Sequence, residues 1–314
     1  MEILNKTICV NLDVHIWQGR RSLKATDLES IGLPPEELAS LGSKKVADPQ
    51  DLKIFSTLKR KAERACSKQS VRFLKGYATS LEVATELEKQ LLSIQNEFEQ
   101  AKIDFISQYE QKVSDWVNQF PDWKHKLESA VVPKSIVETR FAFDFQLYQI
   151  KPSQDNVAGL DKVATGLGSQ LFKEIAQEAK DLYERSILGM DKVSRRVVTG
   201  SINNLLSKLD TLEYMSPKCR PIINTVNTLL SGLPATGSID GIHLIAVKSV
   251  VDLLSDEEKM MQTSQTIATN DVQQLEFKPA QQPAKSPTVQ APLSEKPPSP
   301  PAFTLKLNLF RSAV

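Results

Sequence analysis

Basic side chains at helical spacing are the residues of this chain that most directly suggest a chemistry. Arg60, Arg64 and Lys68 recur every four residues, which places them on one face of a helix. Arg72 follows four residues later, outside the predicted helix. Such a stripe could neutralise the phosphates of a nucleic acid. We favour instead a solvated face or the complement of an acidic helix, since no known nucleic-acid-binding motif accompanies the stripe.

The distribution of charge supports a basic region near the N-terminus. Residues 1–80 carry 14 Lys and Arg against 9 Asp and Glu, whereas residues 81–118 carry 3 against 8. The basic residues near the stripe are Lys59, Lys61, Lys75 and, further upstream, Arg20, Arg21 and Lys24. The whole chain has a net charge of only +1, so the total names no partner.

Residues that could catalyse a reaction or hold a metal show no recognisable pattern. His15, His125 and His243 lie far apart and match no metal-ligand spacing. Gly166 and Gly168 precede a predicted helix, but the third glycine, the lysine and the preceding strand of a phosphate loop are missing, so they predict a helix-start turn. We therefore expect no enzyme, metal or cofactor, although a site assembled from dispersed residues would leave no such signature.

A long helix is the clearest element that could position these groups. Apolar residues recur in steps of three and four at Ala84, Leu87, Leu91, Ile94, Phe98, Ala101 and Phe105, and Tyr109, Val113 and Trp116 continue the series. This helical stem would be about 50 Å long. We expect it to pack against residues 168–215 as an antiparallel, coiled-coil-like hairpin. An intermolecular coiled coil is the alternative.

A small β element is predicted beside the helices. Apolar and polar residues alternate from Ile8 to Ile16, which is typical of a half-buried strand. Residues 141–150 alternate as well and are the best candidate for its partner, although a helix there stays open. The cysteines, Cys9, Cys66 and Cys219, are widely spaced and are expected to be reduced core residues.

These patterns divide the chain into four parts. Residues 1–79 form a basic region with a strand and helices, including a helix start at Pro34 and a helix from Asp48 to Lys68. Residues 80–262 form the helical stem and a bundle, with the short strand at 141–150. Residues 263–301, where eight of the 17 prolines lie, are predicted to be a disordered linker. Residues 302–314 are an apolar docking segment.

The docking segment alternates as strictly as the first strand. Its partner-binding residues are Phe303, Leu305, Leu307, Leu309 and Phe310. A tethered apolar strand suits addition to a partner's sheet. The alternative is that it folds back beside Ile8–Ile16.

No targeting segment or membrane span is evident in the sequence. The N-terminus lacks a long apolar run, and no apolar stretch approaches the ~20 residues that a membrane helix needs. Together with the widely spaced cysteines, this predicts a soluble, cytoplasmic protein that does not bind a membrane.

The N-terminal half resembles an uncharacterised bacterial family known only as a domain of unknown function. The resemblance rests on NLDVHIWQGRR (residues 11–21), LPPEELASLGSKK (33–45) and RFLKGYA (72–78). It implies a context on conjugative elements, plasmids and phages, often near a MoxR-like AAA ATPase and a von Willebrand A-type protein. These two proteins are therefore the candidate partners that the resemblance suggests.

The sequence thus predicts a mainly α protein with a small β element and a disordered Pro-rich tail. We expect a non-enzymatic scaffold or adaptor of a mobile genetic element, which recruits a protein partner through its C-terminal strand. The alternative is a nucleic-acid-binding accessory protein that uses Arg60, Arg64, Lys68 and Arg72. An enzyme of unrecognised type is the third and weakest reading.

Overall fold

The computed structural model describes residues 2–24, 42–151 and 157–275, and this part of the chain is mainly helical with a small antiparallel sheet. The helices are α1 (Glu2–Asn5), α2 (Lys53–Lys68), α3 (Leu81–Ser107), α4 (Tyr109–Asn118), α5 (Lys124–Glu128), α6 (Lys134–Glu138), α7 (Val157–Thr165), α8 (Leu167–Ser186), α9 (Arg195–Thr211), α10 (Cys219–Ser231), α11 (Gly241–Leu254) and α12 (Glu257–Leu275). The strands are β1 (Thr7–His15), β2 (Arg20–Ser22), β3 (Ser43–Lys45), β4 (Ser70–Phe73), β5 (Gly76–Ser80), β6 (Ala142–Tyr148), β7 (Lys192–Ser194) and β8 (Ser238–Asp240). The predicted mainly α class with a small β element is confirmed.

The central sheet has the strand order β4-β5-β1-β6, and all its pairs are antiparallel. β1 pairs with β6 from Cys9↔Tyr148 to His15↔Ala142, which confirms the predicted partner and excludes a helix at this position. β1 also pairs with β5, a partner that the sequence did not indicate. Gly76 begins β5 where a Cβ atom would lie only 2.2 Å from the carbonyl oxygen of Val10, so glycine is required there.

Helices cover both faces of this sheet. Val10 and Val14 of β1 lie in a buried cluster with α2, α3 and α4. Cys9 points to the opposite face, where Val71 and Ala78 join a second buried cluster with α8 to α11. The strand is therefore buried on both faces at its N-terminal end, whereas Asp13 and His15 at its other end stay exposed.

The predicted stem is a helix, and most of its apolar residues at steps of three and four, which we call the seam, are buried. Its predicted packing partner, however, is wrong. Leu87, Leu91 and Phe98 of α3 are fully buried, and the helix breaks at Gln108 before α4 continues the seam with Val113. The seam packs against α2 and the sheet, in the cluster of Val10 and Val14. Residues 168–215 belong to the other cluster, on the far side of the sheet, so they do not form a hairpin with α3.

A helical bundle forms the second layer. α8 packs against α9 and α11, and α10 packs against α9 and α11. Their inward residues include Leu171, Ile175, Ile202, Leu209, Ile222 and Val250, all of them fully buried. Gly166 lies at the start of α8, as the predicted helix-start turn requires. β7 and β8 form a separate two-stranded ribbon beside this bundle.

The observed elements cross two of the predicted boundaries. Strands from both sides of residue 80 share the central sheet, so residues 1–79 are not a separate region. The predicted linker start at residue 263 falls within α12, which continues to Leu275. The helix start at Pro34 and the rest of the linker lie outside the described residues. Within the described ranges, no helix combines the length and the apolar character that crossing a membrane requires.

Candidate functional site

The α2 stripe, defined as Arg60, Arg64 and Lys68, lies on the solvent face of α2. The opposite face carries Phe55 and Ala62, which are fully buried, so the amphipathic pattern of the helix turns the basic residues outward. Each of the three side chains is exposed, and none forms an ion pair with another residue of the described chain. The arginine Nε atoms donate to backbone carbonyls of the same helix.

Two neighbours of the α2 stripe have structural partners instead. Lys61 Nζ lies 2.7 Å from Glu97 Oε1 of α3, so the complementarity with the acidic helix is satisfied by this residue and not by the stripe. Arg72 lies on β4, with its guanidinium carbon 4.2 Å from the ring centroid of Tyr77. Its backbone N–H donates to Glu174 Oε1 at 2.7 Å. Arg72 therefore serves contacts within the fold as well as any contact with a ligand.

A second basic surface is formed by β2 and β3, which we call the basic ribbon. The antiparallel register places Arg20 opposite Lys45 and Arg21 opposite Lys44. Like charges directly across a strand pair destabilise it, so the pairing of Arg20 with Lys45 costs stability in the absence of an anion. The sequence indicated Arg20 and Arg21 but missed the two lysines, because 22 positions separate Arg21 from Ser43 along the chain.

One signal in the sequence could have indicated the ribbon, namely a glycine directly before each of the two short basic strands. These glycines, Gly19 and Gly42, have positive φ angles of 62° and 77°. Lys44 Nζ donates to the carbonyl oxygen of Lys126 at 3.1 Å, which anchors the ribbon against α5.

Aromatic side chains lie next to the basic ribbon. Trp116 Nε1 donates to the carbonyl oxygen of Lys45 at 3.2 Å, and its ring contacts Phe120 at a centroid distance of 4.9 Å. Lys126 Nζ lies 5.2 Å from the ring centroid of Trp123. Phe120 and Trp123 are 39% and 40% exposed, which is high for side chains of this size. Basic and aromatic groups side by side are typical of surfaces that bind single-stranded nucleic acids.

The three cysteine thiols are buried and protonated. Burial raises the pKa of Cys9 to about 11 and that of Cys66 and Cys219 to about 12. These thiols are therefore inert at neutral pH, because the thiolate is the reactive form. His15 lies 3.0 Å from Asp13 on the exposed part of β1. No group of three or more potential metal ligands occurs in the described ranges.

The predicted docking residues, Phe303, Leu305, Leu307, Leu309 and Phe310, lie outside the described residues. The structure therefore brings together Arg60, Arg64 and Lys68 and places Arg72 on the neighbouring strand. It also adds the basic ribbon and its aromatic neighbours.

Comparison with known proteins identifies a family but no activity. A family model described as "Protein of unknown function (DUF3150)" matches residues 4–256, which is most of the chain. No curated protein matches the sequence, and no solved structure matches it. Any function must therefore be argued from the residues of the chain.

Proposed function

The chain belongs to the DUF3150 family, and because that family's description names no activity, we propose a function from the residues of the chain itself. We propose that it is a non-enzymatic helical scaffold or adaptor, which recruits a protein partner through its C-terminal segment. The observation that carries this proposal is the alternation of apolar residues from Phe303 to Leu309. A segment of this pattern suits pairing with the sheet of a partner, because backbone hydrogen bonds give affinity and side-chain pockets give specificity.

The position of the segment supports recruitment at a distance. Residues 279–301 contain eight prolines, a composition typical of extended linkers. At about 3.1 Å per residue, such a linker would span roughly 70 Å. The resemblance to a protein family expected on mobile genetic elements suggests a MoxR-like AAA ATPase or a von Willebrand A-type protein as the partner. A cytoplasmic location agrees with both.

Affinity purification with matched variants tests the adaptor function. The double variant Leu305→Asp/Leu307→Asp places charges on the apolar face of the segment, and Lys306→Asp/Asn308→Asp changes the opposite face. We expect the first variant to lose the partner and the second to keep it, with the same melting temperature for both, and the partner to be identified by mass spectrometry and rebound in purified form.

Deletion of residues 302–314 provides the second arm of this test. The truncated chain should lose the partner while its melting temperature stays within about 2 °C of the parent, since surface changes alter stability by less than about 0.5 kcal/mol. A large drop in melting temperature with no partner lost would show that the segment belongs to the fold, and the adaptor proposal would be wrong.

A nucleic-acid-binding accessory function is the second candidate, and the basic ribbon favours it. Arg20 faces Lys45 across the two strands, so the ribbon retains a repulsion between these two residues that a polyanion would relieve. The exposed rings of Phe120 and Trp123 offer stacking surfaces beside it. The α2 stripe would add phosphate contacts, and single-stranded DNA or RNA is the ligand that this combination suits best.

The charge reversal Lys45→Glu tests this candidate because stability and binding should change in opposite directions. The new carboxylate would face Arg20, so stability should rise by roughly 0.2–1 kcal/mol. Binding to a labelled single-stranded oligonucleotide, measured by fluorescence anisotropy, should weaken. The matched control is Lys180→Glu, an exposed position on α8 that should change neither quantity by much.

A salt titration measures how much the α2 stripe contributes. Replacing Arg60, Arg64 and Lys68 with alanine should reduce the slope of log affinity against log salt by up to about 2, since each single-strand phosphate contact contributes about 0.7. An unchanged slope would remove the stripe from the interface. Oligonucleotide binding that is absent at 50 mM salt would exclude the candidate as a whole.

A further inference from the structure

Two adjoining cavities flank the segment that joins β1 to β2. The first, of about 280 Å³, lies against the N-terminus of α2, and the second, of about 450 Å³, lies against the connection from α6 to β6. The residues that line both cavities are Ile16, Trp17, Gln18 and Arg20. We call this pair of cavities the Trp17 cleft.

The arginine and lysine side chains that line the Trp17 cleft give it a positive charge. Arg20 lines both cavities, Lys53 lines the first, and Arg140 and His15 line the second. No Asp or Glu is among the described residues that line either cavity.

The carboxylates nearest in sequence have partners other than Arg20, Lys53 and Arg140. Asp13 contacts His15 at 3.0 Å, and Asp48 Oδ1 accepts the backbone N–H of Gln50 at 2.8 Å. Asp51 forms an ion pair with Lys112 of α4 at 2.5 Å. Arg20 and Lys53 make no ion pair with any residue that the structure describes. Of these three neighbours only Asp13 is paired with a residue that lines the cleft, His15, so none of them neutralises Arg20 or Lys53 through an ion pair.

One residue that lines both cavities, Trp17, carries a buried hydrogen-bond donor without a partner. Trp17 is only 3% exposed, and its Nε1–H finds no acceptor. The indole ring is held by Phe105 and Tyr109, at centroid distances of 6.3 and 5.8 Å, so it cannot easily turn toward another acceptor. A buried donor without a partner is unfavourable, and an acceptor that reached it from the cleft would remove this penalty.

The start of α2 adds a further positive group. This helix has 16 residues, and its N-cap, Leu52, makes no side-chain cap. The N–H groups of Leu52 and Lys53 donate to the carbonyl oxygens of Pro49 and Gln50, at 3.3 and 3.1 Å. Pro49, Gln50, Leu52 and Lys53 of this helix start line the first cavity. An anion placed there would lie near the positive end of the helix dipole.

We propose that the Trp17 cleft binds the phosphate group of a small phosphorylated ligand. The guanidinium of Arg20 offers paired donors to phosphate oxygens, Lys53 offers a compact charge, and Trp17 offers a neutral N–H. The volume of either cavity is large enough for a phosphate and a small organic group. This inference rests on neither the C-terminal segment nor the basic ribbon as a whole, so its failure would leave the adaptor proposal untouched.

Titration with inorganic phosphate, followed through the indole N–H signals in ¹H–¹⁵N NMR spectra, tests the proposal. The chain has three tryptophans, and the Trp17 signal is assigned by its loss in Trp17→Phe. At constant ionic strength and pH 7, we expect the Trp17 signal to shift with an apparent Kd of about 1 mM or lower, while the Trp116 and Trp123 signals stay in place. Chloride at the same ionic strength should cause no shift.

Variants of exposed residues keep the test valid even if Trp17→Phe does not fold. Arg20→Ala and Arg140→Ala should each weaken phosphate binding at least fivefold, whereas Arg196→Ala, an exposed arginine on α9, should leave it unchanged. No Trp17 shift up to 50 mM phosphate, or equal sensitivity to all three substitutions, would overturn the proposal.

A final arm distinguishes the source of the phosphate. Adenosine monophosphate should shift the Trp17 signal at least as strongly as inorganic phosphate. A 12-nucleotide single strand without a terminal phosphate should shift the Trp17 signal no more than inorganic phosphate does at the same concentration of phosphate groups. If the oligonucleotide binds the cleft at least tenfold more tightly than the mononucleotide, the ligand is a polynucleotide and the small-ligand assignment is wrong.

Discussion

At the scale of single residues, Lys208 and Glu174 join the two layers of the molecule. Lys208 is 1% exposed, and its Nζ lies 3.0 Å from Glu174 Oε2 and 2.9 Å from Glu178 Oε1. Glu174 Oε1 accepts the backbone N–H of Arg72 on the edge strand β4. One carboxylate thus satisfies a buried ammonium of the bundle and an outward N–H of the sheet. This also blocks part of an edge that could otherwise pair with another chain.

The substitution Glu174→Leu should therefore be severely destabilising. It would leave Lys208 with a single, half-exposed partner and the Arg72 N–H without an acceptor, a loss of about 3–5 kcal/mol. Chemical denaturation measures the change. The matched control is Glu178→Leu, one turn away and 45% exposed on its side chain, which should cost less than about 1 kcal/mol. Equal losses in the two variants would contradict this role of Glu174.

The buried thiols predict a specific dependence of stability on pH. Burial raises the pKa of Cys66 from 9.0 to about 12, so the folded state keeps the proton that the unfolded state releases. The stabilisation is complete below pH 9 and is lost as pH rises from 9 toward 12. Between pH 9 and 11, Cys66→Ala should therefore lose less stability than the parent, by up to about 1.4 kcal/mol per pH unit. Identical pH profiles of stability for the parent and Cys66→Ala, measured by denaturant titration, would contradict this prediction.

At the scale of elements, α3 depends on its seam and not on its apolar content. Leu91 is fully buried, whereas Leu92, the next residue, is 45% exposed. Leu91→Ala should cost about 2–5 kcal/mol because it opens a cavity between α2, α3 and the sheet. Leu92→Ala should cost less than about 0.5 kcal/mol. Thermal and chemical denaturation measure the stability of both variants. Similar losses in the two would contradict the assignment of Leu91 to the seam.

Gln95 shows why position on the helix alone does not identify a neutral site. It lies off the seam of α3, where the sequence pattern predicts a tolerant position. Its Nε2 nevertheless donates to the carbonyl oxygen of Phe143 at 2.7 Å, on the outer side of β6. Asn96, which is exposed, is the better position for a control substitution on this helix.

Elements with a local pattern could be predicted from the sequence, and their partners could not. The steps of three and four in α3 identify its buried face, but they carry no information about whether α2 or α8 covers it. The alternation of β1 predicts a strand, yet Cys9 is buried because α8 and its neighbours cover the face that alternation assigns to solvent. The basic ribbon escaped prediction because its two strands meet only in the folded chain.

The candidate sites show the same limit. The outward face of α2 follows from its own periodicity, so Arg60 and Arg64 could be identified. The Trp17 cleft could not, because Trp17, Lys53 and Arg140 come from three separate parts of the chain. The lack of an acceptor for the Trp17 N–H is a property of three-dimensional packing, and no spacing rule reports it.

At the scale of the whole molecule, the central sheet contributes one face to each of two hydrophobic cores. Val10 and Tyr77 face one cluster, and Cys9, Val71 and Ala78 face the other. The bundle of α8 to α11 therefore lacks one of its walls when the sheet is removed. Neither core is complete without residues that lie before position 80.

A fragment of residues 157–275 should accordingly fail to fold as a native-like bundle. Without the sheet, apolar side chains that contact Val71, Phe73 and Ala78 would be exposed to water. We expect the fragment to bind a hydrophobic dye and to unfold without a sharp transition, while residues 1–275 unfold cooperatively. Calorimetry of the two proteins measures this directly. A sharp transition in the fragment at the parent's melting temperature would show that the bundle is independent.

The central place of β1 in the sheet has a consequence for biosynthesis. Asn11 bonds to Gln146 across the β1–β6 pair, 135 positions further along the chain. At about 5–20 residues per second, a ribosome needs on the order of 10 s to make that distance. During this time β1 is held without its β6 partner, and its Cys9 face lacks the cover of α8 to α11, which follow later in the chain. The nascent chain is thus a natural client for a ribosome-associated chaperone, and slowing translation would lengthen its exposure to aggregation.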